Sequence, residues 1–207
     1  MQNTNRITQV TVKGALLIAI SFILTYFEFP ILPTAPWLKL DFSTVPLLLG
    51  ALALGPAVGV GLTLILQFLL FLTSSNTGGI GQLANFIIIS IMILVTTGVY
   101  RRWPSFKGLV FGALVGTAAF SAAAVLVNQF LLVPLFFPKG FPGGPAAQRA
   151  YLYGLIPLFN GIKGLSVAFF SSVLYHRLER FLKVEKRMLP KKPSGGGLKM
   201  VKNPQES

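Results

Sequence analysis

The sequence predicts an all-α membrane protein, a bundle of six transmembrane helices with both chain ends in the cytoplasm. The first observation is composition: 53% of the 207 residues are hydrophobic, 11% are charged, and the mean hydropathy is +0.71. So few charged residues can hardly supply the polar surface of a soluble domain. The second is that long uncharged stretches are apolar throughout, whereas the strands of a membrane barrel alternate polar and apolar residues. The third is an uneven distribution of lysine and arginine along the chain.

Three predicted helices occupy the first third of the chain. The first runs from about Val10 to Phe29 and lacks the small-x-small cleavage site of a signal peptide, so we expect it to be retained. The segments Thr44–Leu54 and Ala57–Thr73 then form a hairpin about Gly55-Pro56, because Gly-Pro is a strong helix breaker. Their combined length of about 30 residues also exceeds one crossing. A single long span over both segments is the alternative.

Three further spans follow. They are predicted at about Ile80–Val99, Gly108–Phe136 and Tyr151–Tyr175. The link after the fourth span carries two arginines, an aromatic pair and a proline, which is typical of a membrane interface. A Gly/Pro-rich loop at 138–145 separates the last two spans. Residues 1–183 are therefore predicted to form one six-helix transmembrane domain, and residues 184–207 a basic, disordered cytoplasmic tail.

The positions of lysine and arginine test this count of spans. With both ends inside, fourteen of them fall on the cytoplasmic side and only Lys39, Lys139 and Arg149 on the outer side, as the positive-inside rule requires. Merging the second and third segments would place Arg101 and Arg102 outside. We therefore attribute the net charge of +13 to topology and to anionic lipid headgroups in the bilayer, and expect no nucleic-acid partner.

The sequence disfavours catalysis, metal binding and channel function. It contains no cysteine, one histidine (His176) and no carboxylate cluster, so no metal or cofactor is expected. HExxH, GxSxG and P-loop motifs are absent, so the chain is not predicted to be an enzyme, and any use of ATP must come from another chain. A small intramembrane enzyme or a channel stays a lesser alternative, although no helix carries a continuous polar stripe.

Small residues at a spacing of four mark two places where helices can approach closely. They are Ala15 and Ala19 in the first span, and Gly112 and Gly116 in the fifth. Such pairs serve either packing within the bundle or docking of another membrane subunit. Spacing alone does not decide between these two roles.

One lysine lies deep within the last span. Lys163 shares a helix face with Asn160 and lies roughly 20 Å above the cytoplasmic end, too far to reach that surface. It is expected to face a cavity or to pair with a carboxylate, for which Glu28 and Asp41 are the acidic residues near the outer half. Asp41 has an alternative role as N-cap of the second helix, with Ser43 as the competing cap.

Further amides lie at a similar depth in neighbouring spans: Gln82 and Asn85 in the fourth and Asn128-Gln129 in the fifth. Each alone is more often an interhelical hydrogen bond than a ligand contact. Their shared depth favours a binding site. Amides, hydroxyls and one cation among many aromatic residues suit a planar, neutral heterocycle that forms hydrogen bonds.

Four stretches resemble a known family. They are the proline-rich 29–46, Leu54-Gly-Pro-Ala-Val-Gly59, Thr77-Gly-Gly-Ile-Gly-Gln-Leu-Ala-Asn-Phe86 and Ile156-Pro-Leu-Phe-Asn-Gly-Ile-Lys-Gly164. They are similar to the riboflavin-specific S components of energy-coupling factor (ECF) transporters, the RibU family, over about residues 10 to 180. One departure is Gln67-Phe68 in the third helix, where many relatives carry Lys-Asn.

The resemblance implies an S component in a prokaryotic cell membrane that captures riboflavin from outside for ATP-driven uptake. It implies a transmembrane coupling subunit and two ATPase subunits as partners, with Ala15 and Ala19 as the docking face. Riboflavin would be the transported ligand, held by Asn128, Asn160 and Lys163 under the outer loops. The full expected substrate-binding set is Leu40, Asp41, Gly79, Gln82, Asn85, Asn128, Asn160 and Lys163. FMN or another vitamin is the alternative ligand.

Overall fold

The computed structural model describes residues 2–182, and the side chains of residues 7–178, as a bundle of six helices. The first four helices and one hairpin are α1 (Gln2–Thr25), β1 (Phe29–Pro30), β2 (Lys39–Leu40), α2 (Thr44–Leu54), α3 (Pro56–Ser74) and α4 (Ile80–Arg102). Helix α5 consists of Phe106–Val127, a π-helical turn Asn128–Leu132 and Val133–Phe136. Helix α6 consists of Gly144–Ala150, a π-helical turn Tyr151–Leu155 and Ile156–Leu182. The predicted tail at 184–207 lies outside the described residues.

The predicted six-helix bundle is confirmed, and α2 and α3 are separate helices. Gly55 has φ 117°, a conformation that favours glycine, and Pro56 begins α3 where its missing amide hydrogen breaks no helical bond. Within residues 2–182, five helices are long and apolar enough to cross a membrane. Helix α2 has 11 residues and is about 16 Å long, so it does not span a bilayer alone.

Helix α2 forms the centre of the bundle. Its residues from Thr44 to Ala51 are all buried, with Leu47 and Leu48 at 0% exposure. It packs against α1, α3, α4 and α6. A helix that is apolar on every side can be buried in a core or face lipid. Helix α2 is too short to cross the bilayer alone, and the other helices enclose it.

Several predicted boundaries were wrong. Helix α1 begins at Gln2 rather than Val10. Helix α1 ends at Thr25 rather than Phe29. Pro30 excludes Phe29 from the helix, because proline disfavours a helical conformation for the residue before it. The chain instead forms the antiparallel pair of β1 and β2, with Phe29 opposite Leu40. Helix α6 begins at Gly144 and not at 151, because the first turn of a helix tolerates Pro145.

The two small-residue pairs have different surroundings. A Cβ atom at Gly116 would lie 2.0 Å from the Oγ1 of Thr96, and one at Gly112 would lie 2.9 Å from its carbonyl oxygen. These glycines therefore allow α5 to pack closely on α4. Ala15 and Ala19, in contrast, are exposed on the outside of α1, so this pair does not pack within the bundle.

Replacing Gly59 by alanine tests the packing of α3 on α2. A Cβ atom there would lie 2.3 Å from the Cβ and 2.9 Å from the Cα of Ala51, so the helices would have to separate. We expect Gly59→Ala to lower the free energy of unfolding by about 1–3 kcal/mol, the usual cost of overpacking. Gly61→Ala is the matched control, since a Cβ there meets nothing within 4 Å. Equal melting temperatures of the two variants in detergent would contradict this packing.

Candidate functional site

A buried ion pair joins the first outer loop (residues 26–43) to α6. The Nζ of Lys163 lies 2.6 Å from the Oδ2 of Asp41, and the two side chains are 12% and 14% exposed. Of the two carboxylates expected from the sequence, Asp41 is therefore the partner. Glu28 instead pairs with Lys39 at 2.5 Å, and both of those side chains are more than 40% exposed.

The short helix α2 brings Asp41 to the depth of Lys163. The hydroxyl of Tyr175 on α6 donates a hydrogen bond to the carbonyl of Leu52 on α2, at 3.3 Å. The two helices pack side by side and run in the same direction. Asp41 lies eleven positions before Leu52, and Lys163 lies twelve positions before Tyr175. Because α2 is too short to span, the first outer loop ends inside the bundle rather than at its surface.

The second carboxylate oxygen of Asp41 is bound by Ser43. Its Oδ1 accepts a hydrogen bond from the Ser43 amide at 2.8 Å and another from the Ser43 hydroxyl. Burial raises the pKa of the carboxyl, but the ammonium of Lys163 and the Ser43 hydrogen bonds lower it by more, so the net pKa of Asp41 lies below the usual value for aspartate. The carboxylate is therefore ionised at neutral pH.

The proposed capping roles of Asp41 and Ser43 were wrong. Asp41 binds the amide of Ser43, which precedes α2, and so it satisfies no amide of the helix itself. Ser43 occupies the N-cap position, but its side chain makes no capping bond because the hydroxyl is directed to Asp41. Both side chains serve the ion pair instead.

Asn160 lies one helical turn outward from Lys163 on the same face of α6. It is 7% exposed, and its Nδ2 donates one hydrogen bond to the carbonyl of Ile156 at 2.9 Å. Within the described residues its Oδ1 has no hydrogen-bond partner, and two N–H groups of Lys163 have none either. The pair thus offers one acceptor next to several donors.

Asn128 lies in the π-helical turn of α5 and is 5% exposed. Its Nδ2 donates to the carbonyl of Ala124 at 2.8 Å, and its Oδ1 accepts from the hydroxyl of Tyr151 at 3.2 Å. Trp37 of the first outer loop lies close to the Tyr151 hydroxyl. One N–H of the Asn128 amide therefore has no protein partner in this network.

Aromatic rings lie at the outer end of this region. The ring of Phe141 lies 5.2 Å from that of Tyr151 and 4.9 Å from that of Phe137. With Trp37 these rings form what we term the outer aromatic cluster, which connects the first outer loop with the α5–α6 connection. Sequence reasoning missed Trp37 and Tyr151. Their position beside proline- and glycine-rich loops was the only available signal.

The remaining predicted residues have mainly local contacts. The Oε1 of Gln82 accepts from Ser75 at 3.0 Å and from Thr77 at 3.4 Å, and the amide of Gly79 donates to the Ser75 hydroxyl at 2.9 Å. These bonds close the connection between α3 and α4. Asn85 is exposed, and Leu40 is buried beside Asp41 at the end of β2. Helix α4 does pack against the π-helical turn that carries Asn128.

Comparison with known proteins assigns the chain to a class. Residues 9–178 match the family described as "ECF transporter, substrate-specific component", and the chain belongs to this family. It is therefore a multi-pass membrane subunit of a transporter and not an enzyme.

Individual relatives are consistent with this assignment. The chain is 33% identical to the riboflavin transporter RibU of Staphylococcus aureus, over 88% of this chain and 95% of that protein. It is 30% identical to the riboflavin transporter FmnP of Bacillus subtilis, over 83% and 93%. A solved structure, described as "Structure and mechanism of the S component of a bacterial ECF transporter", matches with a TM-score of 0.72 and 32% identity, over 89% of this chain and 100% of that one.

Removing one member of the Asp41–Lys163 pair should destabilise the protein, because the other charge is left buried without a partner. We expect Asp41→Asn and Lys163→Met each to cost about 3–5 kcal/mol, and the double variant to cost less than their sum. Lys39→Gln is the control, since it removes a lysine from an exposed pair that contributes below about 1 kcal/mol. The measurement is thermal unfolding without ligand. An Asp41→Asn variant as stable as Lys39→Gln would refute a structural role for the pair.

Proposed function

We propose that this protein is the S subunit of an ECF-type transporter and that it captures riboflavin from outside the cell for ATP-driven uptake. The observation that supports riboflavin as the ligand is the pair of Asn160 and Lys163 on α6, which lies on the inner side of the outer aromatic cluster. Relatives that are 30–33% identical are named riboflavin transporters. The substrate-binding role of individual residues is part of this proposal.

The hydrogen-bonding groups match the polar edge of a flavin. That edge is an imide, with an N–H between two carbonyl oxygens. The Oδ1 of Asn160 accepts from the imide N–H, while the ammonium of Lys163 donates to a neighbouring carbonyl. The remaining N–H of Asn128 supplies a further donor higher in the site. The rings of the outer aromatic cluster pack against the faces of the flavin.

The charge of the site favours a neutral vitamin. Asp41 neutralises Lys163, so the floor of the site has no net charge and offers hydrogen bonds rather than an ionic contact. A phosphate at this depth would find no uncompensated cation among the described residues, and burying it would carry a large desolvation cost. Riboflavin is therefore preferred over FMN at this position.

The exposed alanines of α1 supply the docking face for the coupling subunit. Ala15 and Ala19 lie one turn apart on the side of α1 that its own bundle leaves uncovered. Small side chains allow a second helix to approach closely within the bilayer. A transmembrane coupling subunit therefore binds this face and links the S subunit to two ATPase subunits. The complex resides in the cell membrane of a prokaryote.

Riboflavin titration of the purified protein tests the ligand and its contacts. Asn160→Leu removes the acceptor for the imide N–H and should weaken riboflavin binding roughly tenfold or more. Ser166→Ala is the control on the same helix, because Ser166 is half-buried and its hydroxyl bonds to the carbonyl of Ile162 within its own helix. Equal riboflavin affinities of the two variants would remove Asn160 from the site.

A thermal-shift series over B vitamins and FMN tests the choice of ligand separately. The neutral floor of the site predicts that riboflavin raises the melting temperature more than FMN at equal concentration. A larger shift with FMN, or with a vitamin that lacks an isoalloxazine ring, would contradict riboflavin as the substrate while leaving the transporter class intact.

Bulky residues on α1 test the docking face. We expect Ala15→Leu/Ala19→Leu to abolish riboflavin uptake by whole cells while the purified variant binds riboflavin normally. The matched control is Ala118→Leu/Ala122→Leu, an exposed pair with the same spacing on α5. Uptake that survives in the α1 variant, or is lost equally in both, would rule out a specific docking role for Ala15 and Ala19.

A further inference from the structure

A cavity of about 230 Å³ opens at the cytoplasmic end of the bundle, between the α4–α5 connection and α6. It lies at the opposite end of the protein from the vitamin site. Its polar lining groups are Tyr100, Ser105 and His176, and its apolar lining groups are Pro104, Phe106 and Leu109. The lining is thus divided between groups that bind an anion or a hydroxyl and groups that pack against hydrocarbon.

Ring contacts hold the walls of this cytoplasmic cavity in place. The ring of Tyr175, which is 1% exposed, meets that of Tyr100 edge to face at 5.7 Å. The ring of Phe106 lies 5.6 Å from that of His176. The Oγ of Ser105 accepts from the amide of Gly108 at 3.0 Å, which leaves its hydroxyl hydrogen available to a ligand within the described structure.

Three exposed cations adjoin the cavity lining in the sequence, and we term them the rim cations. Arg101, Lys107 and Arg177 each directly follow a lining residue in the sequence, and all three side chains are exposed. The acidic residues whose side chains the structure describes, Glu28 and Asp41, lie at the outer end of the bundle. Among the described side chains, the charges at this end of the bundle are therefore all positive.

The cavity lies at the level where the bundle leaves the membrane. Helix α4 ends beside it with two arginines and then Trp103, the residue types typical of a membrane interface. Apolar side chains continue from the cavity toward the bilayer, since Val173 and Phe169 lie one and two turns before His176 and are exposed. A ligand that fills this space needs an anionic head and a hydrocarbon tail.

We propose that the cytoplasmic cavity binds the phosphate group of an anionic phospholipid from the inner leaflet. Ser105 and His176 hold the phosphate, and the rim cations Arg101 and Lys107 neutralise it. The glycerol backbone packs on Phe106, and the acyl chains follow the exposed apolar surface of α6. One bound lipid then holds the cytoplasmic ends of α4, α5 and α6 together at the interface.

Lipid binding to the full-length protein in a neutral detergent tests this inference without any vitamin. Phosphatidylglycerol should raise the melting temperature and remain bound as one molecule in native mass spectrometry. Phosphatidylcholine with the same acyl chains should do neither. Inorganic phosphate and glycerol 3-phosphate distinguish a lipid from a soluble phosphate. If they stabilise as well as phosphatidylglycerol, or if the two lipids stabilise equally, the proposal is overturned.

Two double variants that remove the same charge at opposite ends of the protein test where the lipid binds. Arg101→Gln/Lys107→Gln should weaken phosphatidylglycerol binding by about tenfold or more, since each basic residue near the surface contributes to the attraction. Lys139→Gln/Arg149→Gln removes the same two residue types at the outer end and should leave the affinity unchanged. Equal effects of both pairs would show a general charge effect and contradict the site.

A variant that fills the cavity provides a second test. His176→Trp places a large ring at an exposed position, so we expect the melting temperature without lipid to change little while bound phosphatidylglycerol is lost. Retained phosphatidylglycerol in this variant would contradict binding inside the cavity. The lipid measurements do not depend on the identity of the vitamin. A failed riboflavin titration would therefore contradict the proposed ligand but not the lipid site.

Discussion

The ion pair between Asp41 and Lys163 is the interaction on which the outer half of the protein depends. It joins residues 122 positions apart and holds the end of the first outer loop inside the bundle. The pair can form because α2 is only about 16 Å long, so the residue that precedes it lies at the depth of the buried lysine. Each charge supplies the partner that the other needs in a poorly solvated interior.

The same pair determines what kind of ligand the site can hold. A lone buried lysine would attract anions, whereas a lysine paired with a carboxylate presents N–H donors at a floor without net charge. Asn160, one turn outward, adds an unpaired acceptor oxygen. Asn128 is oriented by Tyr151, which also contacts the first outer loop through Trp37. The neutral ion pair at the inner end of the site and the aromatic rings at its outer end therefore favour binding of one planar, neutral molecule.

Much of this architecture could be predicted from the sequence because it depends on local patterns. Apolar length predicted the helices, and Gly55-Pro56 predicted the hairpin, since a breaker acts on its own neighbours. The depth of Lys163 limited its partner to two carboxylates. The hydrogen bond from Tyr151 to Asn128 could not be predicted, because it depends on how α5 and α6 align at two π-helical turns. The orientation of Ala15 likewise required knowledge of which face of α1 the bundle covers.

An exchange of the two charges tests the central claim most directly. The variant Asp41→Lys/Lys163→Asp keeps an ion pair at the same depth but places a carboxylate where the flavin imide needs N–H donors. The measurement is its riboflavin affinity together with its melting temperature. The account predicts that it regains most of the stability lost in Asp41→Asn yet no longer binds riboflavin. Riboflavin binding equal to that of the unmodified protein would contradict it.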